Sequence, residues 1–143
     1  MTRLHQTVWM ATVVAFGVVN SFAAERADSP VADAARDADW ASVQTSLDGG
    51  VDVTVSQGDG STALHWVAHW DELDMAIRLI AAGADVNVAT DLGATPLWLA
   101  AMNGSADMVG RLLDANADPN AALKMGETPL MTAARAGSVK TAE

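Results

Sequence analysis

His65 and His69 stand four apart in the segment HWVAH, a spacing that puts two imidazoles on one face of a helix, where they could share a zinc ion. The glutamate of the HExxH pattern is absent and no third ligand is evident, so no metal site is assigned. Asp71, Glu72 and Asp74 form one acidic cluster and Asp33, Asp37 and Asp39 another. Paired carboxylates can do acid–base work, but nothing in the sequence buries these or adds a nucleophile, and they read as solvated faces. Ser29, Ser42 and Ser46 have no His–Asp partners around them. Gly58-Asp59-Gly60 lacks the GxxxxGK[ST] context of a phosphate loop and reads as a turn. Cysteine is absent, which excludes disulfides, thiolate nucleophiles and Cys-based zinc sites. No catalytic residue, cofactor or metal is therefore assigned.

The elements that position these residues follow from an internal period. Gly60, Gly93 and Gly126 are 33 residues apart, as are Thr62, Thr95 and Thr128, Leu64, Leu97 and Leu130, and Asp52, Asp85 and Asp118. A fixed period of this length marks a solenoid, in which each unit contacts only its neighbours. Thr or Ser before each short apolar run can accept a bond from a free N–H of the first helical turn. Pro30, Pro96 and Pro129 follow at the first helical position, where a missing N–H costs nothing. First helices are expected over 30–36, 63–69, 96–102 and 129–135, with Ala35, Ala68, Ala101 and Ala134 letting neighbours approach. Gly104 and Gly137 fall where each must end in a left-handed residue; Ala38 and Asp71 hold that place in the first two units. Second helices are expected over 39–48, 73–82 and 106–115. Leu73, Ala76, Ile77, Ile80, Val109, Leu112 and Leu113 make their apolar stripes, and Trp40 shares the core position of Leu73.

The formal charge is −10, with 18 acidic and 8 basic residues, which excludes nucleic-acid binding by clustered Lys and Arg and favours cationic partners. The N-terminus has its own pattern. Arg3 and His5 precede an apolar run, Val8–Val19, and then small residues at Ser21 and Ala23. This is the three-part form of a secretory signal peptide. Cleavage is expected after Ala23, with Ala24 the alternative; the apolar run of about 12 residues is short of the ~20 that a spanning helix needs. Export follows, to the periplasm or outside if the source is bacterial, with no stable membrane span after cleavage. An uncleaved anchor, or a misassigned start ahead of a cytosolic protein, is the competing reading.

The motifs within the period are specific. TPL occurs at Thr95–Leu97 and Thr128–Leu130, a degenerate TALH at Thr62–His65, GADVN at Gly83–Asn87 and NADPN at Asn116–Asn120. With the paired alanines, these resemble ankyrin repeats over about 115 of the 143 residues. The resemblance implies an all-α ankyrin-repeat solenoid of 33-residue helix–turn–helix units with β-turn fingers, and a non-catalytic role in protein binding. The expected division is a signal peptide at 1–23, a polar lead-in at 24–28, and repeats at 29–143. Within these, 29–60 is a degenerate capping repeat, 61–93 and 94–126 are full repeats, and 127–143 is a partial fourth, truncated in its second helix. That truncation reads as a fragment of a longer chain, leaving Met108, Leu112 and Leu113 short of cover. His65 becomes the usual histidine of the first helix, bonded to the backbone.

First helices line a concave groove in this family, and the variable groove positions map onto Trp66, His69 and Trp70, then onto Leu99, Met102 and Asn103. Asp33, Arg36 and Asp37 precede them, and Thr132 and Arg135 follow. Exposed tryptophans with an adaptable methionine nearby are characteristic of binding hot spots. Trp98, in the register of His65, is expected to be packed. An unidentified protein partner is expected to meet this groove and the finger tips at Asp59, Asp91 and Lys124. The alternatives are a targeting or regulatory segment of a larger secreted enzyme whose catalytic domain lies beyond Glu143, and a cytosolic scaffold.

Overall fold

Each repeat begins with a hydroxyl residue in front of a short apolar run, and the chain turns helical there. In a computed structural model, which describes residues 29–142, the elements are α1 Pro30–Arg36, α2 Trp40–Asp48, α3 Ala63–Trp70, α4 Leu73–Ala81, α5 Pro96–Asn103, α6 Ala106–Asp114, α7 Pro129–Ala136 and α8 Val139–Ala142. The described residues are all helix and turn, with no strand, as the resemblance implied. The signal peptide and the lead-in expected at 1–28 lie outside the described residues.

Helix starts follow local chemistry. The Thr95 hydroxyl accepts from the Trp98 N–H at 3.2 Å, and Thr128 accepts from Met131 N–H at 3.3 Å. Ser29 does not cap α1 through its side chain, contrary to expectation. Asp39 and Ser105 cap α2 and α6, accepting from Ser42 N–H at 3.1 Å and Met108 N–H at 3.3 Å. Asp39 also accepts from the Ser42 hydroxyl, and these bonds hold its carboxyl below the usual carboxylate range.

Between the helices of one repeat the chain turns through a single left-handed residue: Ala38 at φ 56°, Asp71 at 59°, Gly104 at 69° and Gly137 at 73°. Register therefore prevails over residue type, since Ala38 adopts a conformation that costs an L-residue about 1–2 kcal/mol. Part of that is recovered by Ala38→Gly, less the ~0.4–1 kcal/mol of extra unfolded-chain entropy that glycine brings. We expect Ala38→Gly to stabilise the protein by about 0.5–1 kcal/mol and to raise Tm by a few degrees in a thermal melt. An unchanged or lower Tm would show that the strain is relieved elsewhere.

The first helices, α1, α3, α5 and α7, stack into one layer, and α2, α4, α6 and α8 into a second. Contact within the first layer is far more extensive, because alanines at the seams (Ala35, Ala68 and Ala101, all buried) let the backbones approach. A stack that is tighter on one side bends toward it, which puts the first helices on the concave face. The core runs between the layers through Val31, Val43, Leu64, Val67, Leu79, Met108 and Leu112. In the second layer it centres on Ala76 and Leu79 and, one repeat on, on Val109 and Leu112. The expected stripe is corrected accordingly. Trp40, Leu73 and Ile80 are partly buried against the core, Ile77 is partly buried and Leu113 is 42% exposed, whereas Met108 and Leu112, expected to be short of cover, are fully covered.

Beyond each second helix, an aspartate closes a turn on the amide two residues ahead: Asp52 on Thr54, Asp85 on Asn87 and Asp118 on Asn120. Turns then close each finger: Gly60 N–H donates to Gln57 O, Gly93 N–H to Thr90 O and Gly126 N–H to Leu123 O. Neighbouring fingers are tied by Asp91 N–H to Asp59 O at 2.9 Å and Lys124 N–H to Leu92 O at 3.0 Å.

Candidate protein-binding groove

Three rows of the first helices form a grid across the concave face. Asp33, Trp66, Leu99 and Thr132 occupy one row, Arg36, His69, Met102 and Arg135 the next, and Asp37, Trp70 and Asn103 the third. The grid runs from Asp33, Arg36 and Asp37 on α1 and its C-cap, through the aromatics on α3, to Leu99, Met102 and Asn103 on α5.

The structure brings Trp66, His69 and Trp70 together. The rings of Trp66 and His69 lie 6.0 Å apart between centroids at 89°, and those of His69 and Trp70 5.1 Å apart at 72°, both edge-to-face. Trp70 is 48% exposed, while Trp66 is partly buried against the core. The Trp66 Nε1–H donates to Gln57 Oε1 at 2.8 Å, and Gln57 Nε2–H donates to Asp33 Oδ1 at 2.6 Å. The first finger thus ties the indole to the carboxylate beside it.

Other expected contact residues are already engaged. Asn103 donates to Ala68 O at 3.1 Å and His69 O at 2.6 Å, closing the last turn of α3, so its amide joins two repeats. Leu99 packs partly into the core and Met102 is exposed. Thr132 is buried and donates to Glu127 Oε1 and Thr128 O, which removes it from the groove surface. Glu127 also pairs with Arg135 at 2.6 Å. At the finger tips, Asp59, Asp91 and Lys124 are exposed. Asp59 accepts from the Ser61 N–H at 2.9 Å, the main cause of its lowered pKa. Asn87, which carried no functional reading, spans repeats by donating to Asn116 O and accepting from Asp118 N–H.

His65 is buried, with both ring nitrogens engaged. Nδ1 accepts from the Thr62 N–H at 3.0 Å, with the Thr62 hydroxyl 2.9 Å away, and Nε2–H donates to Ala94 O at 3.1 Å in the next repeat. A histidine so occupied has no lone pair left to share with His69 on a metal. Trp98, one repeat on, cannot reproduce these bonds, and its Nε1–H is sealed from solvent without a partner among the described residues.

The family model for ankyrin repeats in three copies matches residues 31–123 and again 79–143, and the chain belongs to the ankyrin-repeat family. No curated protein matches the sequence. No helix among the described residues is long and apolar enough to cross a membrane.

Proposed function

We propose that the chain is a non-catalytic module that binds a protein through its concave face, with Trp66, His69, Trp70, Met102 and the finger tips at Asp59, Asp91 and Lys124 as the contact surface. The observation that carries this is the aromatic cluster on α3, placed where first helices face the groove and left half open at Trp70. Replacing both tryptophans with alanine is expected to weaken partner binding by about 2 kcal/mol or more. Trp66 also packs against the core, so Trp70→Ala alone is the cleaner variant; it is expected to keep the helical circular dichroism and Tm. Binding unchanged in Trp70→Ala and in the double variant would reject the groove.

Export is part of this reading, supported by the tripartite N-terminus. So is continuation of the solenoid, either as further repeats or as a targeting segment of a larger enzyme. An apolar cleft between Leu97, Val109, Leu113 and Leu130 supports it, since Leu130 is 57% exposed where its equivalents Leu64 and Leu97 are buried. The intact mass of the native product tests both: loss of residues 1–23 and added mass after Glu143 are expected. A retained Met1 rejects export, and a mass ending at Glu143 rejects continuation.

A further inference from the structure

The groove reading leaves the chemistry of the partner open, and the residues around the aromatic cluster narrow it. We propose that the groove takes an extended partner segment bearing an arginine or lysine followed, three positions on, by an apolar residue. The cation sits between the Trp66–His69–Trp70 cluster and the carboxylates of Asp33 and Asp37, and the apolar residue sits on Leu99 and Met102. This rests on the groove being the binding face.

Three observations carry it. First, Asp33 and Asp37 are the α1 neighbours of Trp66 and Trp70 in the grid, and the Gln57 bridge holds the Asp33 carboxylate beside the Trp66 indole. A carboxylate next to an indole offers a cation both ion pairing and the ring's electron-rich face.

Second, these carboxylates already hold a guanidinium. Arg36 lies 3.6 Å from Asp33 Oδ1 and 3.1 Å from Asp37 Oδ1. It does not neutralise them: two carboxylates face one cation, with Asp71 and Glu72 at the C-terminal end of α3 adding to the field. The side chains of Asp33 and Asp37 are 48% and 66% exposed, so a second cation can reach them. The net charge of −10 favours encounter with a basic segment and disfavours an acidic one.

Third, one repeat on, the surface is aliphatic, with Leu99 and Met102 beside the aromatics. Packed helices lie about 8–10 Å apart. With the backbone of the basic residue over α3 and its long side chain reaching back toward α1, three residues of extended chain, at ~3.3 Å each, cover the step to α5. The charge gradient fixes the direction, with the basic residue over α1 and α3 and the apolar residue over α5.

A phage-displayed library of random nonapeptides selected on the full chain tests this. Selected sequences are expected to be enriched in Arg or Lys with an apolar residue three positions later. Replacing that arginine by citrulline in a selected peptide should weaken binding at least tenfold to the parent protein. It should have little effect on the Asp33→Asn, Asp37→Asn variant, because the carboxylates that read the charge are gone. If circular dichroism shows that the double variant is misfolded, Asp37→Asn alone serves, its side chain being largely in solvent. A selected set without basic enrichment, or indifference to citrulline, overturns the cation site. If such peptides still lose binding to Trp70→Ala, the groove stands and only its specificity is wrong. If no peptide is selected, or binding ignores both tryptophans, the groove reading falls as well.

Discussion

Gly93→Ala should destabilise the protein by about 3 kcal/mol, and Gly126→Ala, one repeat on, by about 0.5–1 kcal/mol, since the alanine also removes ~0.4–1 kcal/mol of unfolded-chain entropy. Both glycines close a finger turn in the left-handed region, at φ 89° and 86°, so an added Cβ costs each about 1–2 kcal/mol in backbone strain. Their surroundings differ. A Cβ on Gly93 would stand 3.1 Å from Ala122 O, Leu123 Cα and Lys124 N, all backbone atoms of the next finger, which cannot rotate away. Relieving that contact means separating two fingers joined by the Lys124 N–H to Leu92 O bond, an overpacking cost of about 1–3 kcal/mol. A Cβ on Gly126 meets nothing within 4 Å. Gly60 falls between, with Thr90 Cα at 3.2 Å and Ala89 O at 3.3 Å. Urea unfolding of the three alanine variants should rank them Gly93, Gly60, Gly126 in order of loss. Equal losses would mean that the glycines serve the turn alone and that close finger packing has no energetic weight.

The same glycines show how much the sequence revealed. Their period located every finger, and the Thr-Pro pairs with Gly104 and Gly137 located α5 and α7 to within a residue. Local rules suffice there, because a cap or a left-handed turn is decided by a few adjacent residues. Ala38 shows register carrying information beyond composition: it takes the left-handed turn because the stack around it does. Side-chain roles across repeats were far less legible. Asn103 and Trp66 lie at positions that face the groove, yet each spends polar atoms on a neighbouring helix or finger. Those bonds depend on how far one repeat is displaced from the next, which a helical wheel does not contain. The centring of the second-layer core on Leu79 rather than Ile77 and Ile80 has the same origin, since it depends on which side of α4 meets α3 and the flanking repeats. The aromatic triplet was legible because its members lie within five residues of one helix.

Stability should fall as pH drops below about 6.5, and His65 should account for that loss. Its ring is buried in the neutral form, with Nδ1 accepting from the Thr62 backbone and Nε2–H donating to Ala94 O. A proton added to Nδ1 would face the Thr62 N–H, setting donor against donor. Burial depresses the pKa below its ordinary value, and the carbonyls of Ala94 and Val88 and the charge of Asp59 only partly oppose it. Between the unfolded value of ~6.5 and the depressed folded value, the unfolded chain binds the extra proton. Stability therefore rises with pH in that window, by up to about 1.4 kcal/mol per unit, and the contribution is fully present above it. Asp39, Asp52 and Asp59, whose pKa values are lowered by hydrogen bonds, titrate in a separate window below about pH 4. His65→Leu should remove the slope near neutrality. At pH 8 it should also cost about 2–4 kcal/mol, because the Thr62 N–H and the Ala94 carbonyl are left buried without their partner. The loss should appear at the seam between the second and third repeats, which the Nε2–H bond spans. Unfolding free energies measured at pH 8, 7, 6 and 5 on both proteins decide the matter. A flat profile for the parent between pH 7 and 5, or the same slope in His65→Leu, would show that His65 is protonated in the fold or that another group titrates there.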